Sequence, residues 1–66
     1  MRDEILSAAE NYFLGKIGYH RLNLEVYLQN SAGIGDHSDI MSAVEEEVSK
    51  IAEYQEKLEV VRNLNE

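Results

Sequence analysis

One short break governs what this chain can become. Asn30-Ser31-Ala32-Gly33-Ile34-Gly35-Asp36-His37-Ser38 separates two proline-free stretches that both carry helical periodicity, and nothing else in the 66 residues punctuates the chain as strongly. Helix one is predicted from about Asp3 to Ser31 and helix two from about Ser38 to Leu64, with a turn over 32–37. Gly33 suits the left-handed conformation that ends a helix, and Ile34 supplies the apolar contact that often follows it. Asp36 or Ser38 can accept from the orphan amides of helix two, Asp39 adds negative charge to its first turn, and Ile34 with Ile40 approximates a hydrophobic staple. So short a loop makes the helices antiparallel neighbours. The expected fold is all-α, a two-helix antiparallel hairpin.

The first helix carries too much apolar surface for one neighbour. At about 100° per residue, one stripe collects Leu6, Ala9, Phe13, Ile17, His20, Leu24, Tyr27 and Leu28, the side expected to face helix two. Nearly opposite lies a second stripe of Ala8, Tyr12, Gly15, Tyr19, Leu22 and Val26. A surface helix with a single neighbour needs one stripe. The second, narrower and rich in tyrosine, fits an interface whose ring edges still reach water. Gly15 and Gly18 interrupt the helix. They mark either a kink or, at Gly15, close approach by a partner backbone, with a complete break into three helices as the lesser outcome. Helix two has one stripe, Ile40, Met41, Val44, Val48, Ile51, Tyr54, Leu58 and Val61, and opposite it a charged face that includes Glu45, Glu46, Glu53, Glu56, Lys57 and Glu59. Glu46–Lys50 and Glu53–Lys57 are spaced as favourable i,i+4 pairs.

Size turns this surplus into an argument for self-association. A domain of this length buries only about 60% of the surface its unfolded chain exposes. The chain has no cysteine, so neither a disulfide nor a thiolate zinc site can staple it. Burial against a second copy is the remaining remedy, and a dimeric four-helix bundle is the expected assembly. The interface residues expected are Tyr12, Gly15, Tyr19, Leu22 and Val26. Those expected in the core are Leu6, Phe13, Ile17, His20, Leu24, Leu28, Ile40, Val44, Val48, Ile51 and Leu58.

Charge and hydropathy exclude several classes. The formal net charge of −7, with six scattered basic residues, argues against direct nucleic-acid binding. No apolar run approaches the roughly 18 residues of a membrane span, and the opening Met1-Arg2-Asp3-Glu4 does not read as a signal peptide. A soluble protein of a reducing cytoplasm is expected. His37 beside Asp36 and Asp39 presents metal-ligand chemistry, yet zinc sites take three or four protein ligands and His20 lies far along helix one. These residues are therefore read as caps beside a turn histidine, and a metal site shared between subunits is the alternative. His20, on the apolar stripe, is read as donating to a carbonyl or a tyrosine, with a pH-sensitive interface as its functional version. Glu45-Glu46-Glu47 point in different directions on a helix and cannot converge on a substrate. Glu47 alone leans toward the stripe, where it could pair across an interface. Gly33-Ile34-Gly35 follows a helix and not a strand, so it is no phosphate loop. No enzyme and no cofactor are expected.

Three segments carry a resemblance: Asn23-Leu24-Glu25-Val26-Tyr27-Leu28-Gln29-Asn30, then Gly33-Ile34-Gly35-Asp36-His37-Ser38-Asp39-Ile40-Met41, then Ile51-Ala52-Glu53-Tyr54-Gln55-Glu56-Lys57-Leu58-Glu59. Together they resemble short proteins of tailed phages, particularly phages of marine bacteria and cyanobacteria, a group without an assigned activity. The likeness covers roughly two thirds of the chain, and Gly-Ile-Gly-Asp-His-Ser-Asp is its most specific part. It implies a source, with host cytoplasm as the setting, and transfers no catalytic residue. In architecture the chain is also similar to small plasmid regulators that dimerise into four-helix bundles and clamp paired RNA loops. Those use basic first helices; here Lys16 and Arg21 lie on different sides, so RNA binding is not implied. The expected role is an adaptor or modulator acting through itself and another protein. An acidic mimic of DNA is the alternative.

Overall fold

The computed structural model describes residues 1–29 and 37–65. It holds two α-helices, α1 (Arg2–Gln29) and α2 (His37–Leu64), packed against each other as a hairpin. Cross-helix contacts fix the direction. Arg2 reaches the Leu64 carbonyl at 2.6 Å, Phe13 lies beside Tyr54, and His20 bonds Glu47, so the helices run antiparallel in a single register. Asp3 and Glu4 in the first turn of α1, Asp39 in that of α2 and Arg62 in the last turn of α2 all complement the helix dipoles. The N-terminal amine pairs with Glu4 at 2.8 Å, and the Ile5 amide donates to the Met1 carbonyl.

α1 is continuous through Gly15 and Gly18, which removes the three-helix outcome. A Cβ built at either glycine would meet nothing within 4 Å. The hairpin itself therefore has no steric need for them, although each weakens a helix interior by roughly 1 kcal/mol relative to alanine. α2 begins at His37, so His37 and Ser38 belong to its first turn and not to the connection as expected. Gly33, Ile34, Gly35 and Asp36, with the caps and staple assigned to them, lie outside the described residues.

The core is a narrow seam. Among the described residues, Ile17 and Leu58 are its buried apolar side chains. Leu6, Phe13, His20, Leu24, Ile40, Val44 and Ile51 are half-buried, as the stripes anticipate. Leu28 and Val48 are not core: they are 59% and 48% exposed, and Met41 is exposed as well. One neighbouring helix covers only the middle of an apolar arc, and Leu28, Met41 and Val48 sit at its edges. The molecule is a rod of 49 × 14 × 12 Å with a radius of gyration of 15.2 Å, against about 11 Å for a compact chain of this length. One layer of two helices leaves each outer face without cover.

Candidate interaction surface

The outer face of α1 is the most distinctive surface of the molecule. Tyr12, Tyr19, Leu22 and Val26 are between 51% and 66% exposed, with Ala8 exposed before them and Gly15 exposed between Tyr12 and Tyr19. All five residues expected at an interface therefore lie on one accessible face. Gly15 floors a shallow hollow walled by Asn11, Tyr12, Lys16 and Tyr19. Lys16 Nζ lies 5.6 Å from the Tyr12 ring centroid, within range of a cation–π contact. Tyr19 sets its edge against the His20 ring at 4.9 Å, so the outer face and the core seam touch at this point.

Beneath that face, a polar cluster crosses the seam. Glu47 is the buried charged residue among those described. Its Oε1 accepts from Asn23 Nδ2 at 3.1 Å and lies 2.7 Å from His20 Nδ1. An ionised carboxylate only accepts, so His20 Nδ1 carries the hydrogen and donates. The His20 ring stacks on Tyr54 with centroids 5.9 Å apart and planes 13° from parallel, and Tyr54 in turn lies against Phe13. The His20 hydrogen bond holds the Glu47 carboxyl below the usual carboxylate range; burial opposes this and the Asn23 bond adds to it.

This cluster corrects two expectations. His20 donates to a carboxylate instead of a carbonyl or tyrosine, and Glu47 is held within its own chain instead of across an interface. Asn23 completes the cluster without belonging to either apolar stripe. Its signal is a polar residue at the edge of an apolar stripe, one turn from His20.

The outer face of α2 is of another kind. Glu53 accepts from Lys57 Nζ at 3.1 Å, which holds its carboxyl below the usual range, and Lys50 Nζ lies 3.9 Å from Glu53 instead of pairing with Glu46. Arg62 donates to Glu10 across the helices at 2.7 Å. Between the helices, a groove lined by Phe13, Val60 and Val61 is rimmed by Glu53, Glu56 and Lys57.

Among the described residues no group of three histidine, aspartate or glutamate side chains is placed to hold a metal ion. The Asp36 and His37 side chains, candidate ligands of a shared site, lie outside that set. No helix in the described residues is long and apolar enough to cross a membrane. No protein-family model matches the chain, and no curated protein or solved structure is significantly similar to it.

Proposed function

We propose that this chain acts without catalysis, by associating with itself and contacting another protein as a small adaptor or modulator. The observation that carries the reading is the outer face of α1. Four large apolar or aromatic side chains lie along it, and between Ile5 and Gln29 its one charge, Lys16, stands at the edge. Contiguous exposed apolar surface rimmed by polar groups marks interaction sites on soluble proteins. The resemblance of the segment from Asn23 onward to short tailed-phage proteins supports a phage gene as its source and the host cytoplasm as its setting. Light scattering over 10 µM to 1 mM tests the self-association, with a mass of at least two chains as the expected result. Affinity purification from host cells, with Tyr19→Asp as the control bait, tests the partner: a specific protein should be retained by the parent and lost by the variant, which removes either the contact itself or the dimer that presents it.

A second reading rests on α2, whose exposed Glu45, Glu46, Glu53, Glu56 and Glu59 give an acidic surface. It is an acidic mimic of nucleic acid that occupies a basic site on another protein. Salt separates the two readings. Binding by mimicry should weaken steeply between 50 and 500 mM salt, because exposed charges are screened beyond about 10 Å at 0.1 M. Binding through the tyrosine face should change little.

A further inference from the structure

We propose that two copies pair back to back through their α1 helices, antiparallel and centred at the level of Ile17, so that Tyr19 of each copy seats over Gly15 of the other. The proposal deepens the self-association above and rests on it.

The stripe itself supplies the register. Ala8, Tyr12, Gly15, Tyr19, Leu22 and Val26 are spaced four, three, four, three and four residues apart, a pattern that reads the same in both directions. A two-fold axis makes every contact reciprocal, residue i on j and j on i. With the axis at the level of Ile17, Ala8 meets Val26, Tyr12 meets Leu22 and Gly15 meets Tyr19. Each match sets a smaller side chain against a larger one, as interlocking faces require.

Gly15 provides the receptacle. It is the floor of a hollow walled by Tyr12 and Tyr19, and neither it nor Gly18 is crowded by anything in its own chain. Glycine weakens a helix, and the hairpin offers no steric reason for it here. A tyrosine arriving from a second molecule does.

Charge selects the occupant. α1 holds four acidic and three basic residues, α2 seven and three. Pairing α1 with α1 joins the two nearly neutral helices and carries the acidic faces of α2 to opposite outer sides. Pairing through α2 would bring like charges together. The two stripes of α1 lie about 145° apart, so the four helices are ordered α2–α1–α1–α2, a flatter arrangement than four helices around a common core.

Area agrees in scale. The chain exposes 4984 Å², whereas a compact protein of its mass exposes about 4,250 Å². The excess of about 700 Å² is close to the roughly 800 Å² that one partner contributes to a stable interface.

The absence of native cysteine allows a direct test. Reduced Ala8→Cys and Val26→Cys chains, one of them tagged, are oxidised each alone and as an equimolar mixture. The mixed disulfide should form at least ten-fold faster than either homodimer, because Ala8 of one copy lies level with Val26 of the other. Fastest linkage of Ala8→Cys to itself would overturn the proposal in favour of parallel pairing. Linkage no faster than for Glu56→Cys, on the outer face of α2, would overturn it in favour of another surface. In either case self-association would stand. Gly15→Leu should weaken the dimer at least ten-fold by sedimentation, and an unchanged or tighter dimer would refute the Tyr19–Gly15 seat. A parent chain that sediments as a monomer at 1 mM would sink both this proposal and the reading beneath it.

Discussion

α1 and α2 are matched in length at 28 residues each, and each is the other's packing neighbour. Their inner faces are alike, with half-buried aliphatic and aromatic side chains about one buried leucine or isoleucine. Their outer faces are not. That of α2 carries carboxylates interspersed with lysines, as a helix bathed in water should. That of α1 carries tyrosines, leucine, valine, Ala8 and Gly15. Because the hairpin asks the same thing of both helices, the difference cannot come from the hairpin. The self-association proposed above gives α1 alone a reason for it.

Substitutions can break or sharpen this contrast. The largest effect belongs to the inner faces: Ile17→Asp or Leu58→Asp leaves a carboxylate in the seam without a partner, at a cost of several kcal/mol, and circular dichroism should show loss of the helices. The same charge on the outer face of α1 should act differently. Tyr19→Asp is expected to lower the mass in light scattering more than it lowers helix content. If Tyr19→Asp kept the parent mass, the contrast between the two outer faces would lose its meaning.

The polar cluster should give an intermediate effect. His20→Leu leaves the Glu47 carboxylate with Asn23 alone and should cost about 1–3 kcal/mol in thermal or urea unfolding. Glu47→Gln removes the charge and should change the pH profile. The folded-state pKa of Glu47 is depressed, so its contribution is complete above the unfolded value near 4.5 and is lost as pH falls through the folded value. The parent should therefore lose stability below about pH 4.5 more steeply than Glu47→Gln, and parallel profiles would refute the assignment. Gly18→Ala meets no obstruction in its own chain and should stabilise the helix by up to about 1 kcal/mol, read as a rise in melting temperature. Lys57→Ala, on the solvated face of α2, should produce no resolvable change.

The hairpin was legible because its determinants are local. Two proline-free periodic stretches on either side of one glycine-bearing break leave few other arrangements for a chain this short. Ile17 and Leu58 were legible for the same reason, lying at the centres of their arcs. Leu28 and Val48 were misplaced because periodicity gives the direction of a stripe and not the width that a neighbour covers. The pairing of His20 with Glu47 depends on cross-helix register. That register was recoverable in principle: the two residues are equidistant from the midpoint between Gly33 and Ile34, as are Phe13 and Tyr54. What hid it was the variety of conformations open to a connection containing two glycines. Asn23 was missed because a lone amide at a stripe's edge resembles any solvated side chain until its acceptor is known.

The reach of Arg2 to the Leu64 carbonyl has a practical corollary. The first turn of the molecule and its last stand an arginine's length apart, so a short glycine linker could join tail to head and new ends could be opened in the present connection. Such a permuted chain would keep every cross-helix partner while exchanging the order in which the two halves are synthesised. Whether it still adopts the parent arrangement would reveal if matching between side chains, and not the original tether, dictates how the halves find each other.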